Sequence, residues 1–228
     1  MMPYMSDVVI CFDLDDTLYK EIDFVKSAYR EIAEKTGHPE AVQSMIKWYY
    51  EGKNVFAEMI TEYKLEQTLS DCIEIYRNHF PKISLEPEVK CFLDELKSAG
   101  IYLGLITNGR SVSQRNKINA LGLEGFFDIE VISEEFGHEK PDERCYGVIM
   151  ETFPECKRYI YIGDNPEKDF IAPNKLGWQT ICLLDDGRNI HHQNFNLRKE
   201  FLPEIKIDSI NAIIDKVDNC KRNSKRNV

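Results

Sequence analysis

The spacing of apolar positions divides the chain into two kinds of segment. Val8-Val9-Ile10-Cys11-Phe12 is an unbroken apolar run, mostly β-branched, and predicts a strand buried on both faces, as in a parallel sheet. From residue 20 to about residue 87 the pattern turns helical, at 24–35, 41–50 and 69–80, with Glu, Lys and aromatics interleaved. Beyond it the period alternates. Helices are expected at 89–99, closed by Gly100, at 111–121, with Ser111 as cap and Gly122 as stop, at 143–152 and at 167–175. Strands are expected at 101–106, 127–132, 159–162 and 180–184, with a closing strand and helix over 205–216. Alternating strand and helix predicts an α/β fold with a doubly wound parallel, Rossmann-like sheet. The expected core is 1–19 plus 88–228, and 20–87 is a helical insert following the first strand.

Composition narrows the functional classes. The 228 residues are 43% hydrophobic and 30% charged, which describes a globular chain rather than a disordered one. The net charge of −10 argues against broad nucleic-acid or anionic-membrane binding. The basic stretch 221–226 reads as a solvated terminus. No apolar run approaches the ~20 residues of a membrane span, and the start lacks the features of a secretory signal. The seven cysteines are odd in number and lack a CxxC pair. Cys11, Cys91, Cys145 and Cys182 sit among apolar neighbours as buried thiols do, which fits a reducing cytoplasm better than a disulfide framework or a zinc site.

In a doubly wound sheet the chemistry lies beyond the carboxyl ends of the strands. The first strand runs into Asp13-Leu14-Asp15-Asp16-Thr17. Residues i and i+2 of an extended segment point the same way, so Asp13 and Asp15 share one site, and two ionised carboxylates there need a proton or a hard cation. Thr107-Asn108-Gly109-Arg110 places a hydroxyl and backbone N–H groups before a helix, as an anion site requires. In Lys140-Pro141-Asp142, Pro141 suits a first helical turn and Asp142 its cap; by itself Lys140 reads as a solvated surface lysine. In Gly163-Asp164-Asn165-Pro166 a cap and a proline explain Asn165 and Pro166, but not Asp164, Asp169 or Gly163.

Taken together and in order, these four junctions resemble the motifs of the haloacid dehalogenase-like (HAD) hydrolase superfamily, and the resemblance spans nearly the whole chain. The helical insert resembles that superfamily's type-one cap. The resemblance implies a Mg²⁺-dependent phosphatase working through an aspartyl-phosphate. Asp13 would be nucleophile and metal ligand. Asp15 would be general acid/base, its carbonyl a further ligand. Thr107 and the Asn108 backbone would hold the phosphoryl group, and Lys140 would offset charge. Asp164 would complete the metal ligands, supported by Asp169. One departure stands out: many members end the fourth motif in Asn-Asp, and this chain has Lys168-Asp169.

The resemblance leaves rivals. A haloacid dehalogenase lacks the second aspartate of the first motif, so Asp15 speaks against that reading. A phosphomutase is compatible with the core motifs. A non-catalytic binding protein has no reason to keep nucleophile, acid/base, lysine and metal carboxylate together. The implied substrate is a small phosphorylated metabolite, a nucleotide or a sugar phosphate, handled by a monomer or homodimer. The Thr107-Asn108-Gly109 and Ser133-Glu134-Glu135 stretches look most like nucleotidase and acylneuraminate-phosphatase branches. Trp48, Tyr49, Tyr50, Phe56, Tyr63 and Tyr76 have the helical spacing of a core. His191-His192 reads as a surface loop.

Overall fold

A computed structural model describes residues 7–213. The basic stretch 221–226, Cys220 and the end of the expected closing helix lie outside the described residues. The strands are β1 (Val8–Phe12), β2 (Tyr102–Thr107), β3 (Ile129–Ile132), β4 (Arg158–Gly163), β5 (Gln179–Leu183) and β6 (Ile205–Ile207). They form one sheet in the order β3-β2-β1-β4-β5-β6, parallel at every pairing. The chain winds outward from β1 in both directions, so the switch point is the crevice beyond β1 and its neighbours. Asp13, Thr107 and Asp164 each lie at or next to the carboxyl end of one of these strands, β1, β2 and β4.

The helices are α1 (Glu21–Lys35), α2 (Val42–Tyr50), α3 (Val55–Tyr63), α4 (Leu69–Asn78), α5 (Pro87–Ser98), α6 (Ser111–Ala120), α7 (Ser133–Phe136), α8 (Arg144–Thr152) and α9 (Ile171–Lys175). The chain forms two compact units. Among the described residues, the first comprises 7–20, 85–109 and 124–213, and the second 21–84 and 110–123. Helix α6, read from sequence as part of the sheet layer, thus groups with the second unit.

Within the first unit every residue of β1 is buried. Val9 and Cys11 pack with Ile106, Tyr146, Ile149, Tyr161 and Trp178. Phe12 meets the edge of Phe92 from α5, with centroids 6.2 Å apart. Gly104 of β2 lets Cys11 approach, since a Cβ there would lie 2.6 Å from its Sγ. Helix α5 ends as expected: Gly100 takes a positive φ and the Ile101 N–H returns to the Leu96 carbonyl.

The second unit is built on α1, which buries Ile22, Phe24, Val25, Ala28, Tyr29 and Ile32. Tyr29 meets Tyr49 and Phe56 at ring-centroid distances of 6.4 and 6.3 Å, and Tyr76 meets Phe24 at 5.3 Å. Tyr49, Phe56 and Tyr76 are packing groups, as their spacing predicts, but Tyr50, expected in the same core, is 68% exposed. The nine-residue α3 has no separate expectation behind it, although Asn54 caps it by accepting from the Ala57 N–H.

Some boundaries differ from expectation for local reasons. Ser111 is the first residue of α6 rather than its cap, which is Arg110. Pro141 lies outside α8. The Asn108 side chain bonds both backbone polar groups of Lys140, at 2.8 and 3.0 Å, and holds that segment off the helix. Asp142 instead accepts from the Arg144 N–H at the helix entrance. Helix α9 starts at Ile171, because the preceding residues form a turn around Asp169. Among the cysteines, Cys11, Cys145 and Cys182 are buried, but Cys91 is exposed on the outer side of α5. Its neighbours in sequence are apolar, yet the helical period turns it outward.

Candidate active site

Lys140 corrects the surface reading: it is only 4% exposed. Its Nζ lies 2.7 Å from Asp13 Oδ1 and 2.8 Å from Asp169 Oδ1, and donates to the Tyr161 hydroxyl at 2.9 Å. A buried ammonium must satisfy three donors, and these three oxygens do so. Burial works against the charged form, but the carboxylates of Asp13 and Asp169 outweigh it and hold Lys140 above the ordinary lysine range. The lysine comes to this position because Asn108, just beyond β2, grips its backbone.

Asp169 is fully buried and anchored at both oxygens. Oδ1 takes Lys140, while Oδ2 accepts the backbone N–H groups of Asp164 (3.1 Å) and Asn165 (2.9 Å). Gly163 makes this closure possible, since a Cβ there would lie 2.5 Å from Asp169 Oδ2. Lys168, where the chain departs from the Asn-Asp pattern, is exposed.

Asp13, Asp164 and Asp169 each offer a carboxylate oxygen within 4.8 Å of the others. Asp15 is not in that side-chain group: its Oδ1 accepts from the Tyr19 hydroxyl. Burial raises the Asp13 carboxyl to about 7, opposed by Lys140 and reinforced by Asp169 and Asp15. Burial raises Asp164 further, to about 9, with Asp169, Asp13 and Asp16 adding to it. One ammonium therefore faces a larger negative charge held in low dielectric. An all-oxygen, carboxylate-rich set of this kind fits a hard divalent cation such as Mg²⁺, which supplies the missing positive charge.

The Thr107-Asn108-Gly109 turn also meets this crevice. Thr107 is buried, and the Gly109 N–H donates to Ser133 Oγ at 2.9 Å. Ser133, Tyr161 and Asn189 shape the site without having been assigned a role from sequence. Ser133 belongs to the Ser133-Glu134-Glu135 stretch, which was the available signal. Tyr161 reads only as an apolar strand residue, and Asn189 as a loop residue. His191 and His192 are exposed.

The protein family follows from the chain's match to the haloacid dehalogenase-like hydrolase model over residues 10–183. The chain belongs to this family. Two relatives of known activity are similar along most of their length. The glyceraldehyde 3-phosphate phosphatase of Methanocaldococcus jannaschii is 28% identical, covering 93% of this chain and 98% of the relative. The phosphoglycolate phosphatase of Aquifex aeolicus is 27% identical over 77% of this chain and 84% of its own. The HAD-hydrolase YfnB of Bacillus subtilis, crystallised with magnesium, superposes with a TM-score of 0.64 at 20% identity, covering 92% of this chain and 98% of that one. Its likeness establishes the parallel HAD-type fold. As a member of this family with phosphatases among its full-length relatives, the chain is a phosphatase. None of its described helices is long and apolar enough to cross a membrane.

Proposed function

We propose that this protein hydrolyses a small phosphate monoester, with Asp13 as nucleophile and Mg²⁺ as cofactor. The observation that carries the proposal is the buried contact of Lys140 with both Asp13 and Asp169. Such a lysine cannot act as a general base, being held charged. It serves instead to keep Asp13 ionised and to meet negative charge in front of it.

Asp13, Asp164 and the Asp15 carbonyl would hold the metal. When bound there, a divalent cation would supply positive charge to offset that on the phosphoryl oxygens. Asp13 attacks phosphorus in line, forming the aspartyl-phosphate while the bond to the leaving alcohol breaks. Asp15 protonates that alcohol, then removes a proton from the water that releases phosphate. Tyr19 orients Asp15 through its hydroxyl. Thr107 and the Asn108 N–H hold the phosphoryl group, and Ser133 steadies the turn that presents them. The helical segment 20–87, inserted after β1, would act as the cap that selects the leaving group.

Asp15 favours phosphate chemistry over dehalogenation. The relatives named for glyceraldehyde 3-phosphate and phosphoglycolate favour a short phosphorylated metabolite, a small sugar phosphate ahead of a nucleotide. The test is phosphate release from a panel of nucleotides, short sugar phosphates and an aryl phosphate, with and without Mg²⁺. Release should require the metal and disappear in Asp13→Asn. Release by a folded Asp13→Asn at near wild-type rates sinks the nucleophile assignment. Silence across the panel shifts weight to a phosphomutase.

A further inference from the structure

Beyond β5, the loop containing Asp185, Asp186, Arg188 and Asn189 carries a chain of polar contacts that the reaction above does not use. Asn189 Nδ2 donates to Asp164 Oδ2 at 2.9 Å. On its other side Asn189 Oδ1 accepts from Lys20 Nζ at 2.8 Å. Lys20 is the last residue of the first unit before the chain enters the second. A lysine ammonium can only donate, so it fixes the carbonyl end of the Asn189 amide toward itself and the amino end toward Asp164. The loop itself is braced. Asp185 Oδ1 accepts the Gly187 and Asn189 N–H groups, and the Ile190 N–H donates to Asp16 Oδ2 at 2.9 Å. Arg188 joins Asp186 to Glu86, which lies near the returning end of the second unit's chain.

We propose that Asn189, locked in orientation by Lys20, is a positioning residue for Asp164. By donating to Oδ2 it fixes the rotation of the carboxylate that Asp164 would offer to the metal. The inference rests on the Mg²⁺-dependent reading. It adds a donor that lies outside the four motifs and ties the metal carboxylate to the segment where the chain leaves the first unit. Outer partners that orient a metal-ligating group typically change metal affinity by 10–100-fold when removed.

The experiment is titration calorimetry of Mg²⁺ into wild type, Asn189→Ala and Lys20→Met, with phosphatase activity measured against Mg²⁺ concentration. Asn189→Ala should weaken Mg²⁺ binding by about tenfold or more, and kcat should recover at saturating metal. Lys20→Met leaves Asn189 and Asp164 in place but frees the amide to turn, so its affinity should fall in the same direction by less. Equal Mg²⁺ affinity in wild type and a folded Asn189→Ala overturns the inference and leaves the function standing. If Asn189→Ala does not fold, Lys20→Met decides, and unchanged affinity there overturns the inference. A wild-type protein that binds no Mg²⁺ and releases phosphate without it overturns both readings.

Discussion

Replacing Asp164 by Asn should stabilise the metal-free protein while abolishing its response to Mg²⁺. The carboxyl of Asp164 is buried, and burial with the neighbouring charges of Asp169, Asp13 and Asp16 raises it to about 9. Its unfolded value is the ordinary 3.8. A carboxyl raised on folding contributes stability at pH below its unfolded value and loses it as pH rises toward the folded value. At neutral pH the unfolded chain has ionised Asp164, whereas the folded one must protonate it. Roughly three pH units separate 3.8 from neutrality, and at about 1.4 kcal/mol per unit this bounds the penalty near 4 kcal/mol. Relaxation and water entry reduce it, leaving about 2 kcal/mol, or roughly 5 °C in melting temperature for a chain of this size. Asn is nearly isosteric, carries no charge, and can still accept from Asn189 Nδ2. Thermal melts in EDTA should therefore show Asp164→Asn and wild type converging near pH 4 and separating progressively toward pH 9, with the variant higher. Adding Mg²⁺ should raise wild type alone. A wild type as stable as the variant in EDTA at pH 8 refutes the argument that the metal-free site is charge-strained.

Lys140→Met leaves Asp13 and Asp169 buried without their counter-charge and should cost about 3 kcal/mol in urea unfolding, with turnover lost. That cost should grow with pH, because Asp13 is already raised to about 7 and its protonated form becomes harder to keep. Gly163→Ala forces Asp169 aside and should lower activity by about tenfold or more at a stability cost of roughly 1–3 kcal/mol, with the displaced carboxylate visible by crystallography. Thr107→Val keeps the buried shape at the end of β2 but deletes a donor to the phosphoryl group. It should lower kcat/KM by about a hundredfold.

The sheet was legible because its strands are buried runs punctuated by helical segments, and the parallel order follows from that alternation. Asp13 was legible because it directly follows a buried strand next to the switch point of the sheet. Asp15, expected from its two-residue spacing to share that site, lies beyond the strand and turns its Oδ1 to the Tyr19 hydroxyl. Lys140 was not legible, taken alone: nothing in Glu139-Lys140-Pro141 distinguishes a surface lysine from one that folds inward. What draws it in is the side chain of Asn108, which is 32 residues away, and two carboxylates supplied by other strand ends. Cys91 failed in the opposite direction, because apolar neighbours in sequence do not share its helix face. Asn189 carries no local signal at all, since its partners are Lys20 and Asp164, 169 and 25 residues distant.

The exposed Lys168 explains why the altered end of the fourth motif leaves the site intact. Asp169 is fixed by groups that do not include the residue before it: two backbone N–H groups, Lys140, and the space that Gly163 leaves open. The two backbone donors belong to Asp164 and Asn165, so an exchange of the side chain at 168 leaves them in place. Lys168→Asn, which restores the common pattern, should therefore change neither kcat nor the metal-free melting temperature by more than about 0.5 kcal/mol equivalent. A large effect of that exchange in a folded protein would mean that residue 168 reaches the site during turnover, and that the closure around Asp169 is not self-sufficient.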